Sequence, residues 1–112
     1  MIGKEGEMTE SNYNDCIAQH GGYLVRFLQT IDGFRVTHKT WPNRVRMDTS
    51  AYKALSWHLT PLGMEKVKEK VQIEVCEGTP LLASNDAAEI FQYTWGVGEP
   101  DQRAEQWLGL AS

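Results

Sequence analysis

Residues 23–41, YLVRFLQTIDGFRVTHKTW, decide the fold. Taken in alternation, Tyr23, Val25, Phe27 and Gln29 share one face, while Leu24, Arg26 and Leu28 share the other. Taken at helical spacing, Leu24, Phe27, Leu28 and Ile31 line up instead. Asp32-Gly33 is a strong hairpin signal, because glycine accepts the positive φ of a tight turn. Phe34 to Trp41 then alternates and is rich in β-forming residues. The turn chemistry favours two antiparallel strands, 23–29 and 34–40. A helix over residues 23–30 stays open, and with it the face that carries Arg26.

Upstream, residues 1–10 are polar and lack periodicity, as expected of a mobile tail. Ser11 or Asn12 would start a short helix carrying Tyr13, Cys16, Ile17 and His20, with Gly21-Gly22 ending it. Downstream, Pro42 lacks an amide donor and breaks the run. Arg44 to Met47 alternates again as a short strand. Asp48 is a good N-cap for a helix over 49–59 with Tyr52, Leu55 and Leu59 on one face. Thr60-Pro61 starts a second helix, capping threonine then proline, with Met64, Val67 and Val71 facing inward. Strict alternation over Val71 to Val75 predicts a strand at 71–76, and further strands are expected at 89–94 and, short, at Leu81 to Ala83 between turn signals. A last helix runs over 102–108. The expected fold is α+β: one domain over 11–112, an antiparallel sheet of four to five strands, and three or four helices packed mainly on one face.

At 112 residues the chain has the size of one domain and a core that needs no staples. Its two cysteines, Cys16 and Cys76, make no framework. The first residues lack the basic start and apolar run of a secretion signal, and no run spans a membrane. A cytoplasmic protein with reduced thiols is expected, without a membrane partner. Net charge is −4, distributed as +1 over residues 1–56 and −5 over 57–112. An acidic mean argues against general nucleic-acid binding, which rests on phosphate neutralisation.

The densest chemistry lies between Gly33 and Met47, which holds Arg35, His38, Lys39, Arg44 and Arg46 and no acid. On a strand, Arg35, Lys39 and Trp41 would share a face. Together, Arg35, Lys39, Trp41, Arg44 and Arg46 form a candidate site for a small anion, a phosphate or carboxylate beside an indole. The plainer reading is a solvated sheet face. Cys16 and His20, four apart, would share a helix face as a thiol–imidazole pair or half a metal site, but neither an oxyanion site nor a second ligand pair accompanies them. Trp95-Gly-Val-Gly98 falls short of a dinucleotide or phosphate loop. Glu74 and Glu89 are read as surface charge. No cofactor and no metal site is expected.

Four tryptophans in 112 residues are many. Trp57 sits on a helix whose core face is already filled. Trp107, Leu108 and Leu110 close the chain with apolar surface that must dock on their own domain or on another chain, which makes them interface candidates.

Trp41-Pro42-x-Arg44-x-Arg46, Leu59-Thr60-Pro61-x-Gly63, Phe91-x-Tyr93 and Arg103-Ala104-x-x-Trp107-Leu108-Gly109 resemble phrases of small uncharacterised bacterial proteins, some of which travel on mobile integron gene cassettes. The resemblance spans residues 41–109. It implies a bacterial cytosolic origin and carries over no active-site residue.

The expected role is a small binding or protein-interaction module, assembling with itself or with another protein. The alternatives are a small enzyme with a pocket beside the sheet, or an anion or nucleotide binder using residues 35–46.

Overall fold

The computed structural model describes residues 15–94 and 103–110. Four helices are present among them: α1 (Gly22–His38), α2 (Thr49–His58), α3 (Pro61–Lys70) and α4 (Arg103–Trp107). Four strands, β1 (Arg44–Met47), β2 (Gln72–Val75), β3 (Leu82–Ser84) and β4 (Ile90–Gln92), make one sheet in the order β2-β1-β3-β4. The fold is α+β, as expected.

The largest correction concerns residues 23–40. They form neither strand; Gly22–His38 is a single helix of 17 residues. Leu24, Phe27, Leu28, Ile31 and Phe34 are all buried along one stripe, while Val36 points to solvent. Thr30 is buried too, with its hydroxyl donating to Arg26 O at 2.8 Å. Burying each large apolar side chain contributes about 1.5–3 kcal/mol, which outweighs the roughly 1 kcal/mol that Gly33 costs inside a helix. Gly33 has its own reason: a Cβ there would lie 2.3 Å from the Phe91 ring, so glycine lets β4 press against α1. Asp32 does not turn the chain. Its buried carboxylate accepts the Ala104 N–H at 2.9 Å and so holds the start of α4. The helix ends at Lys39, whose left-handed backbone (φ 64°) lets its N–H reach Arg35 O.

Residues 15–20 are not helical either. Ile17 makes an isolated bridge to Leu59, and Gly21-Gly22 opens α1 rather than closing a helix. Residues 11–14 of the expected first helix lie outside the described residues. His58 fastens this segment: its backbone O accepts from Ala18 N and Gln19 N, and its Nδ1 donates to Gln19 O at 2.8 Å.

The sheet is mixed rather than wholly antiparallel. β1 pairs antiparallel with β3, and β3 with β4, but β1 and β2 run parallel with Val45 opposite Ile73. A parallel pair needs a long crossover, and α2 and α3 supply it. Both begin as expected. Asp48 accepts the Ala51 N–H at 2.8 Å, and Thr60 accepts the Gly63 N–H at 3.1 Å ahead of Pro61. Val45, Met47 and Ala83 face the helices and are fully buried. Phe91 lies in the same row as Val45, Ile73 and Ala83. The other face carries Arg44, Arg46 and Glu74.

Candidate functional site

The five basic-site candidates do not converge. Because residues 34–38 are helical, Arg35, Lys39 and Trp41 share no strand face. Lys39 caps α1, with its ammonium donating to Val36 O at 3.2 Å. Arg44 and Arg46 do lie together on β1, but Glu74 of β2 sits between them. Its carboxylate meets Arg44 Nε at 3.2 Å and Arg46 Nη2 at 3.1 Å, and Asp86 lies 3.4 Å from Arg44 Nη2. Glu74, which sequence pattern reads as surface charge, is therefore the clasp of the outer sheet face and neutralises much of the cationic pair.

Arg35 and Trp41 belong to a different assembly. The Trp41 and Trp107 indoles stack with centroids 4.4 Å apart and planes within 2°. Each carries a cation: Arg35 lies over Trp41 at 5.2 Å and Lys70 over Trp107 at 5.5 Å. Such cation–π contacts add about 0.5–1 kcal/mol where partly exposed. Leu108 and Leu110 are each 1% exposed, inside the core of their own chain, so neither offers surface to a partner. Trp107 is half-buried.

The arrangement with chemical potential lies elsewhere. The start of α1, the start of α2, the approach to β3 and the residue just after β4 border an open, shallow cleft of about 470 Å³. Tyr23 and Arg26 come from α1, Asp48 caps α2, Thr79 and Leu81 precede β3, and Tyr93 follows β4. The volume falls within the roughly 300–1,000 Å³ usual for small-ligand sites. Among the described residues the Tyr23 hydroxyl, shielded from solvent, has no hydrogen-bond partner. Burial pushes its pKa well above the ordinary tyrosine value, the Asp48 carboxylate adds to the rise, and Arg26 opposes it. The phenol thus stands in the fields of a carboxylate and a guanidinium. No salt bridge joins Asp48 to Arg26 among the described residues. The bonds Asp48 receives from Ala51 N and Ser50 Oγ both end on Oδ1.

Sequence reasoning missed this cleft. Asp48 was legible as a cap, but four separate segments meet here, and no local pattern announces that.

Cys16 and His20 share no helix; Cys16 is buried with Sγ 3.8 Å from Gly109 O. Among the described residues no three metal-ligating side chains converge. The Trp95–Gly98 loop lies outside them. No helix among them is long and apolar enough to cross a membrane. Comparison with known proteins finds no matching family model, no matching curated protein and no similar solved structure.

Proposed function

We propose that this chain is a small binding module whose ligand site is the cleft between Tyr23, Arg26, Asp48 and Tyr93. The observation that carries this reading is the cleft itself, lined by Tyr23, whose hydroxyl is shielded from solvent and has no hydrogen-bond partner. Leaving a buried polar group unsatisfied costs about 1–3 kcal/mol, so a hydroxyl of this kind calls for a reason, and a bound ligand would supply one. The test is an NMR screen of small metabolite-like fragments against the protein and against Ala54→Trp, which fills the cleft from α2. Binders should shift the resonances of Tyr23, Asp48 and Tyr93 and lose affinity in the variant. Fragments that bind elsewhere, or bind the variant equally well, would defeat the reading.

A second reading, assembly with a second copy or another protein, is favoured by Trp57. Its indole is 64% exposed on α2, and Pro61 and Leu62 at the start of α3 are exposed as well. Large exposed indoles are the commonest anchors of protein interfaces. Light scattering behind size exclusion tests self-assembly: a dimer or larger species should revert to monomer in Trp57→Ala. A monomeric wild-type protein would remove self-association.

A further inference from the structure

We infer that the open edge of β2 is a dimer seam, where a second copy of this chain adds its own β2 antiparallel and joins the two sheets into one. The inference stands apart from the cleft and from Trp57.

The backbone sets which groups are available. Gln72 N donates to Asn43 O at 2.9 Å and Cys76 N to Met47 O at 2.9 Å, so the even positions of this strand face β1. Successive peptides alternate along a strand, so the N–H and C=O of Ile73 and Val75 point away from β1, as does the C=O of the extended Val71. β2 stands at the end of the strand order, and among the described residues no strand lies beyond it. The β4 edge is tied down instead: His38 Nε2, from the end of α1, donates to Ile90 O at 2.8 Å. Exposed edges are commonly blunted by lysine or proline. Val71-Gln-Ile-Glu-Val75 has neither, and its one charge, Glu74, is already answered by Arg44 and Arg46.

A second copy fits because the strand is complementary to itself. About a twofold axis through Ile73, the two Ile73 residues exchange N–H···O bonds, and each Val75 N–H reaches the Val71 O of the other copy. In that register Gln72 of each copy lies opposite Glu74 of the other, amide against carboxylate. On the other face Ile73 meets Ile73, and Val75, 43% exposed in the single chain, meets Val71. Such cross-strand pairs stabilise neighbouring strands, whereas an axis through Glu74 would set two carboxylates face to face. The Ile73 register also carries Glu77 of each copy towards the end of α3 in the other. There an open hollow of about 420 Å³ is lined by Lys68, Glu69 and Lys70 ahead of Val71. Two ammonium groups against one carboxylate give that hollow the sign that suits Glu77.

Light scattering and amide hydrogen exchange over a concentration series test the seam. It is short and the dimer therefore weak, so the series runs up to about 1 mM. The mass of the wild-type chain should double along it. Exchange at the Ile73 and Val75 amides should slow several-fold at the top of the series, while Gln72, Glu74 and Cys76, which face β1, are protected throughout. Val75→Pro removes an outward N–H, leaves the β1 ladder whole and should stay monomeric at every concentration. Val75→Lys sets an ammonium at an exposed edge position opposite Val71 and should stay monomeric too. It carries the same test should the proline variant fail to fold. A wild-type chain that is monomeric throughout overturns the seam. So does a dimer that persists in folded Val75→Lys, or one that forms without slowing exchange at Ile73 and Val75. A dimer lost in Trp57→Ala and kept in Val75→Lys places the contact on α2 and overturns it as well.

Discussion

Replacing Gly63 by alanine is the sharpest test of how the segment before α1 is held. Gly63 lies in the first turn of α3, and a Cβ there would fall 2.0 Å from the carbonyl oxygen of Cys16. Ordinary contact begins near 3.4 Å, so that carbonyl would have to retreat by about 1.4 Å. It is not free to do so. It accepts the Thr60 N–H at 2.9 Å, and the Thr60 hydroxyl donates to Asp15 O next to it. Two residues on, Ala18 and Gln19 are tied to His58 O at 2.8 and 3.1 Å. Cys16 and Ile17 are both buried between these anchors. Moving the strap loses at least one hydrogen bond, about 1 kcal/mol, and uncovers much of Ile17, about 2 kcal/mol. Alanine returns up to roughly 1 kcal/mol of helix propensity. The net cost is therefore about 2 kcal/mol. Urea unfolding followed by circular dichroism should show the midpoint falling by roughly 1–2 M at unchanged slope. An equally stable or more stable Gly63→Ala would refute the close approach as the reason for glycine. Gly33→Ala is the comparison: it meets the outer ring atoms of Phe91 rather than backbone, and should cost less.

Other outcomes follow from single groups. Tyr23→Phe should raise stability by about 1 kcal/mol at neutral pH, because it removes a buried hydroxyl without a partner. The gain should widen in alkali: above about pH 10 the unfolded tyrosine ionises while the folded one, its pKa raised, keeps its proton, so wild-type stability falls as pH rises. Equal slopes for the two proteins in denaturant titrations between pH 9 and 11 would contradict this. Asp32→Ala should cost about 2 kcal/mol by freeing the Ala104 N–H, and should change the fluorescence of the stacked Trp41 and Trp107 as α4 loosens. Ala88→Gly should stabilise by about 1 kcal/mol, since Ala88 sits at φ 65° in the β3–β4 turn; thermal melts that fall instead would show the turn is held differently.

Much of the second half of the fold was legible because its signals are local. Asp48 and Thr60-Pro61 start helices through their own side chains and rings. Val71 to Val75 alternates, and along its apolar face burial falls from Val71, buried, through Ile73, half-buried, to Val75, exposed. In the segment from 23 to 41 the helical spacing of Leu24, Phe27, Leu28 and Ile31 was visible but lost to the turn signal at Asp32-Gly33, and the reason is long-range. Asp32-Gly33 carries turn chemistry, but its two residues serve partners far along the chain, the Ala104 amide and the Phe91 ring. A reading of neighbours alone gives that pair to a hairpin. The basic row failed with it. Arg44 and Arg46 were found correctly on one strand face, but Glu74 comes from a strand 28 residues away and answers their charge. The cleft was invisible for the same reason: Tyr23, Asp48, Leu81 and Tyr93 each have an ordinary local part, and only the fold gives them a common one.

The parallel pairing of β1 with β2 has a consequence for how the protein reaches this structure. The β3–β4 hairpin closes a few residues and belongs to the microsecond events of folding. β1 and β2 can register only after the stretch between them has been shortened, because closing a long flexible loop costs entropy before any contact repays it. Two capped helices do that shortening. The α2–α3 pair is then the organiser of the sheet, and the pairing of the edge strand β2 with β1 forms late. A stopped-flow trace in which strand pairing precedes helix formation would contradict that order.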